Sequence, residues 1–204
     1  MDQTATTTRI LVVYGTSEGQ TRRVAVELSI ALRRAGAEVD VHPASPAAPG
    51  PAQYAGIVVA ASLHAGKYQR PVRKWIREHA ITLRGKPAVF ISVCLAVRDP
   101  RPEAQLRLAH IMRSFVDACG WSPAYLKPVA GALAYTKYGW LTRWVMKRIA
   151  AKTGGDTDTS RDYEYTDWAD LRAFAREFLV SFNVKPRVPS SLAKDTQSQS
   201  VVLA

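Results

Sequence analysis

Between Arg9 and Phe182 the chain alternates short apolar runs with stretches whose apolar residues recur every three or four positions. Arg9–Tyr14 is a β-branched run of the length of a buried strand. From Gln20 to Ala35, residues Val24, Leu28, Ala31, Leu32 and Ala35 share one helical face, and Gly36 stops the helix. Glu38–Val41 predicts a second strand, and Pro-rich Ser45–Gln53 leaves little room for a helix after it. Gly56–Ser62 predicts a third strand. Pro71–Thr82 places Val72, Trp75, Ile76 and Ala80 on one helical face. Pro87–Cys94 predicts the fourth strand, and Glu103–Cys119 a helix closed by Gly120. Ala124–Leu133 reads as a fifth strand, irregular or at an edge because Pro128 lies inside it. Thr166–Phe182 is the last helix, capped by Asp167, with Trp168, Leu171, Phe174, Ala175, Phe178 and Leu179 on its apolar face.

Strands that alternate with helices predict parallel pairing and a doubly wound α/β sheet with helices on both faces. In such sheets ligands bind beyond the carboxyl ends of the strands, at the switch point. The loops that matter are then YGTSEGQT, ASLHAGKY and SVCLAVRDP, after strands one, three and four.

Composition narrows the class. The chain has 204 residues, 47% of them hydrophobic, enough for one sizeable core. The formal charge of +11 calls for an anionic partner: nucleic acid, an anionic membrane, or an acidic ligand. Cys94 and Cys119 form neither a metal spacing nor a disulfide framework and suit a reducing compartment. No run reaches the length of a membrane span, and MDQTATTTR lacks the pattern of a secretory signal. Residues 1–8 read as a disordered extension, 9–183 as the domain, and 184–204 as a disordered tail, Pro/Ser-rich from Lys185 to Gln199.

The first loop has the makings of a phosphate site. Gly15 and Gly19 let the backbone bend, while Thr16, Ser17 and Thr21 offer hydroxyls where a helix start presents free N–H groups. Neither GxxxxGK[ST] nor GxGxxG is present, which favours a mononucleotide over ATP or a dinucleotide. The same residues also suit an ordinary strand–helix turn with a Thr cap.

Thr16-Ser17-Glu18-Gly19-Gln20-Thr21 resembles the flavodoxin phosphate loop T-x-T-G-x-T, which holds the FMN phosphate through hydroxyls and backbone N–H groups. Glu18 departs from that pattern. It is expected to point outward, towards Arg22 one turn on. The likeness extends from about Arg9 to Phe182. GTSEGQTR, ASLHAGKYQRPV, VAGALAYTKYGW, GGDTDT and YTDW together resemble the flavodoxin-type, menaquinone-dependent protoporphyrinogen oxidases. The resemblance implies a flavodoxin-like five-stranded parallel sheet of order 2-1-3-4-5, with a basic, aromatic insert at about 134–165 before the last helix.

It also implies cofactor contacts. Thr16, Ser17, Gly19, Gln20 and Thr21 would hold the phosphate. Ser62, Leu63, His64, Ala65 and Gly66 would run along one side of the flavin ring, with His64 or Tyr68 stacked on it. His64 reads equally well as an exposed loop histidine. Ser92, Val93, Cys94 and Leu95 would line the other side with backbone groups. Cys94 reads as a small packing residue rather than a catalytic thiol. GGDTDT does not complete a calcium loop, so no metal is expected; Thr157 and Thr159 join the cofactor contacts by resemblance.

From Lys127 to Lys152 the cations Lys127, Lys137, Arg143, Lys147, Arg148 and Lys152 occur without a single Asp or Glu. Trp140, Leu141, Trp144, Val145 and Ile149 would share one side of a helix there. Such a helix suits a membrane interface better than a merely packed, solvated one. Tyr138, Trp140, Arg143, Trp144, Lys147 and Arg148 are the expected substrate and membrane contacts. The expected activity is FMN-dependent oxidation of protoporphyrinogen IX in haem biosynthesis, with electrons passed to menaquinone or another membrane quinone. The protein would sit in the cytoplasm, peripheral on the inner face of the cell membrane. An electron carrier and an NAD(P)H-fed quinone reductase stay open. A nucleic-acid binder would explain the charge but not GTSEGQT.

Overall fold

The computed structural model describes residues 8–133, 135–137, 156 and 158–183. Among them lie β1 (Arg9–Gly15), α1 (Gln20–Arg34), β2 (Glu38–Pro43), β3 (Gly56–Ser62), α2 (Arg70–Leu83), β4 (Ala88–Cys94), α3 (Pro102–Ala118), β5 (Tyr125–Ala130), β6 (Ala132–Leu133), β7 (Tyr163–Glu164) and α4 (Trp168–Asn183). Five strands form one parallel sheet of order β2-β1-β3-β4-β5. The strand order and flanking helices match the expected doubly wound fold.

Strand alternation sorts the core into two layers. Leu11, Val13, Ile57, Val59 and Phe90 face α2 and α3, where Val72, Trp75, Ile76, Met112 and Phe115 meet them. Ile10, Val12, Val58, Ala60 and Ile91 face the other way, onto Val24, Leu28 and Leu32 of α1 and Leu171, Phe174 and Phe178 of α4. All seven residues of β3 and all seven of β4 are buried, as a strand covered on both faces requires. The cap at α4 is as expected: Asp167 Oδ1 accepts from the N–H groups of Ala169 and Asp170, each at 2.9 Å.

The fifth strand departs from its expected length. It is an edge strand, but it ends at Ala130 rather than Leu133. Gly131 turns the chain off the sheet beside β4, where a Cβ would lie in van der Waals contact with Val93 Cγ1, at 3.4 Å. Ala132 and Leu133 then pair antiparallel with Glu164 and Tyr163 in a separate two-stranded ribbon. Pro128 is tolerated because β5 pairs on one side only. Among the described residues no helix is long and apolar enough to cross a membrane.

Candidate functional site

A cavity of about 300 Å³ opens beyond the carboxyl ends of β1, β3 and β4. The switch point of the sheet puts it there: from β1 the chain passes to β2 on one side and pairs with β3 on the other. Thr16, Gln20 and Thr21 line it from the first loop, Ser62 to Gly66 from the second, and Val93 to Leu95 from the third.

In the first loop Gly19 takes φ 91°, and its N–H donates to Thr16 Oγ1 at 2.9 Å. This bond curls the loop under the first turn of α1. The turn has no side-chain cap, so its leading N–H groups stay free for a ligand. Thr21 is fully buried at the cavity wall, and among the described residues its hydroxyl has no hydrogen-bond partner. A buried hydroxyl without a partner is costly, on the order of 1–3 kcal/mol, and an anion bound at the helix start would relieve it. Gly15 is required for packing, because a Cβ there would run into Val72 Cγ2 of α2. Glu18 is exposed on the rim, and no ion pair joins it to Arg22 among the described residues. Arg23, one residue further on, is the side chain that finds a carboxylate: Glu164, at 2.5 Å.

The second loop is a tight reversal. Ala65 and Gly66 both have positive φ, 46° and 75°, and His64 and Lys67 exchange backbone hydrogen bonds at 3.0 and 2.9 Å. Ala65 is the one non-glycine residue at positive φ among the described residues, a strained choice of the kind found at ligand sites. The reversal exposes His64 on the cavity rim. Tyr68 cannot stack on a ring in the cavity. It is buried between Phe90 and Phe115, at 5.1 and 4.4 Å between ring centroids, and its hydroxyl donates to Ser92 Oγ at 2.8 Å.

The same bond turns the Ser92 side chain into the core. Its side chain is wholly interior and does not line the cavity. Cys94 does line it, and burial pushes its thiol pKa up, which keeps the sulfur protonated and poorly nucleophilic. Ser17 also stands back from the wall: its Oγ accepts from Gln69 Nε2 at 3.2 Å. Gln69 Nε2 reaches Ser62 Oγ as well, so one carboxamide ties the first loop to the second. Gln20 is on the wall, but its carboxamide is committed to Glu164 Oε1 and Thr166 Oγ1, both at 2.9 Å. That leaves its backbone N–H for a ligand.

Four wall residues were not anticipated. Ala96 belongs to a 3₁₀ turn, Leu95–Arg98, that follows β4 directly. Ile111 arrives from α3, and Gly131 and Ala132 from the point where the chain leaves the sheet. The pattern of α3 marks Ile111 as apolar but not which cavity it meets.

Thr159 lies in the turn before β7 and off the cavity wall. Thr157 lies outside the described residues, as do Tyr138, Trp140, Arg143, Trp144, Lys147 and Arg148. Asp156 receives the Tyr165 hydroxyl on Oδ2 at 2.6 Å and stands 4.0 Å from Arg98, whose guanidinium lies 3.7 Å from the Tyr165 ring centroid. Asp156 is thereby moored beside the 3₁₀ turn at the cavity edge.

Comparison with known proteins agrees with this architecture. The family model described as flavodoxin domain matches residues 11–160. The protein called protoporphyrinogen IX dehydrogenase [quinone] in Escherichia coli (strain K12) is 33% identical over 172 residues, covering 83% of this chain and 93% of that protein. A Leishmania major protein of the same name is 31% identical over 137 residues, covering 67% of this chain and 59% of its own length. Among solved structures, flavodoxin 1 from Bacillus cereus superposes with a TM-score of 0.51 at 14% identity, over 85% of this chain and 98% of that one. A flavodoxin from Pseudomonas aeruginosa gives 0.52 at 15% identity, over 86% and 99%. At such identities the structural likeness speaks for the fold.

Proposed function

This chain belongs to the flavodoxin domain family and groups with the relatives called protoporphyrinogen IX dehydrogenase [quinone], and from that premise we propose that it oxidises protoporphyrinogen IX through non-covalently bound FMN and hands the electrons to a membrane quinone. The observation that carries the reading is the unpartnered, buried Thr21 hydroxyl at the free N-terminus of α1, on the wall of a cavity at the switch point of the sheet. A phosphate monoester fits there because hydroxyl and N–H donors converge without a buried carboxylate against them. Bound FMN would supply the two-electron redox chemistry.

The protein's own part is binding, orientation and exclusion of water. Thr16, Thr21 and the first N–H groups of α1 grip the phosphate end. The backbone of Leu63 to Gly66 and of Val93 to Leu95 presents polar groups to the two sides of a flat ring. Leu63, Leu95 and Ile111 make the wall apolar. No protein acid or base is assigned; protons lost from the substrate go to solvent. Tyr138, Trp140, Arg143, Trp144, Lys147 and Arg148 are proposed to cover the substrate and to meet an anionic membrane, because Trp beside Lys and Arg suits an interface. A quinone held in the bilayer is then within reach of the reduced cofactor.

The test is anaerobic. Protein loaded with FMN is mixed with protoporphyrinogen IX, and the flavin absorption band is followed. The band should bleach, and a menaquinone analogue should restore it. Bleaching with NAD(P)H and none with the porphyrinogen would make the protein a quinone reductase. Reduction by a protein reductase alone would make it an electron carrier.

A further inference from the structure

A second groove, of about 350 Å³, adjoins the cofactor cavity and shares Gly66 and Ile111 with it. Lys67, Arg73, His110 and Ser114 surround it, and Phe115 and Ile111 contribute its apolar surface. Among the described residues no acidic one lines it. Among the described residues neither Lys67 nor Arg73 has a carboxylate partner. The Arg73 guanidinium lies 5.7 Å from the Phe115 ring centroid. His110 Nε2 and Ser114 Oγ are 3.4 Å apart.

The cations are held towards the groove by the fold. Lys67 closes the backbone reversal that begins at His64, so its Cα is pinned by two hydrogen bonds. Arg73 sits in the first turn of α2, which has no acidic residue there. A cation at a helix N-terminus is disfavoured by the macrodipole, and of Arg70, Arg73 and Lys74 at that end only Lys74 has a carboxylate partner among the described residues, Glu78 at 3.7 Å. The groove on the other side of Ile111 differs. There Asp99 and Glu103 balance Arg101 and Arg107, and Arg101 is committed to Asp99 at 2.6 and 2.8 Å. The two grooves flank the same cavity, but the uncompensated positive charge lies in one of them.

We propose that the Lys67–Arg73 groove receives a carboxylate arm of the ring substrate while the ring itself lies against the cofactor cavity. This rests on the oxidase reading, which supplies a flat apolar ring carrying propionate groups. Gly66 forms the saddle between the two spaces and has no side chain to bar a flexible acid arm. Phe115 and Ile111 pack its methylene carbons, and the two cations pair with its carboxylate. The groove would set which edge of the substrate faces the cofactor.

Binding and turnover are to be measured separately. Full-length protein loaded with FMN is titrated with mesoporphyrin IX and with its dimethyl ester, in a fixed neutral detergent, by quenching of porphyrin fluorescence. The parent is compared with a Lys67→Met/Arg73→Met double variant and with Arg34→Met, a charge control at the far end of α1. FMN affinity and thermal unfolding of each variant establish that it is folded and loaded. The double variant should bind the diacid about tenfold more weakly or worse, with the ester and the control unaffected. Equal binding of the diacid by parent and double variant would overturn the proposal, and so would equal losses for diacid and ester. Failure of protoporphyrinogen to bleach the parent's flavin would overturn the oxidase reading instead, and the diacid-to-ester ratio would still decide the groove.

Discussion

Gln20 Nε2 donates to Glu164 Oε1 at 2.9 Å across 144 residues of chain. The bond joins the first turn of α1, where the first loop ends, to the short strand that leads into the last helix. Gln20 also donates to Thr166 Oγ1, which in turn donates to the Ala130 carbonyl at 2.8 Å. Arg23 adds an ion pair to Glu164 while lying 5.0 Å from the Trp168 ring centroid. The segment from Glu164 to Trp168 thus latches the first loop to the edge of the sheet.

Removing the latch should alter cofactor kinetics more than stability. The Arg23–Glu164 pair is partly exposed, and such pairs contribute roughly 0.2–1 kcal/mol. Glu164→Ala should therefore move the Tm by only a few degrees while FMN leaves the protein faster, as measured by stopped-flow fluorescence. High salt should reproduce part of the effect in the parent. An unchanged dissociation rate would show that the latch does not govern the loop.

Thr21→Val should separate binding from folding in opposite directions. Valine keeps the shape and removes a buried hydroxyl that has no hydrogen-bond partner among the described residues. The free protein should be as stable as the parent or more so. FMN should bind about ten- to a hundredfold more weakly, which corresponds to the roughly 1.5–3 kcal/mol of a hydrogen bond to a charged group. Fluorescence titration and thermal melts check the pair of outcomes.

Acid should act through Asp99. The Arg101 side chain, hydrogen-bonded to it, holds its pKa below the ordinary 3.8, at about 2. A carboxylate depressed on folding contributes stability that is complete above its unfolded pKa and is lost as pH falls through the folded value. Asp99→Asn should thus lose stability at neutral pH and show a flatter stability profile between about pH 4 and pH 2. Urea melts across that range give the answer, and a variant whose profile keeps the parent's slope would exclude Asp99 as its source.

The aromatic, basic insert should carry membrane association. Trp140→Ser with Trp144→Ser, or Lys147→Glu with Arg148→Glu, should release the protein from anionic vesicles in a sedimentation assay. Co-sedimentation of the double-Trp variant at the parent's level would favour a helix packed on the domain. Deleting residues 138–152 should leave FMN bound and abolish turnover.

The order of elements was legible along the chain because strand and helix periodicities are local. β-branched runs such as Ile10–Val13 and Ile57–Val59 cannot hide their burial, and Gly36 and Gly120 punctuate the helices wherever the rest of the fold lies. The three loops around the cavity were legible for the same reason, since each follows a strand directly. Partnership across the sequence was not. Gln20 reads as a phosphate-loop residue until Glu164 and Thr166 take up its carboxamide. Tyr68 carries an apolar ring and a hydroxyl, so it suits a ring stack or a core equally well; the buried Ser92 hydroxyl on β4 satisfies the phenol and draws it inward. Ala124–Leu133 reads as one strand because its residues are uniformly strand-like, yet the pairing partner for Ala132 and Leu133 is β7 rather than the sheet. Local pattern determines which surfaces a segment must bury or satisfy. Which distant group meets that need is decided only when the chain closes, because hydrogen bonds and packing act between atoms a few ångströms apart, whatever their separation in sequence.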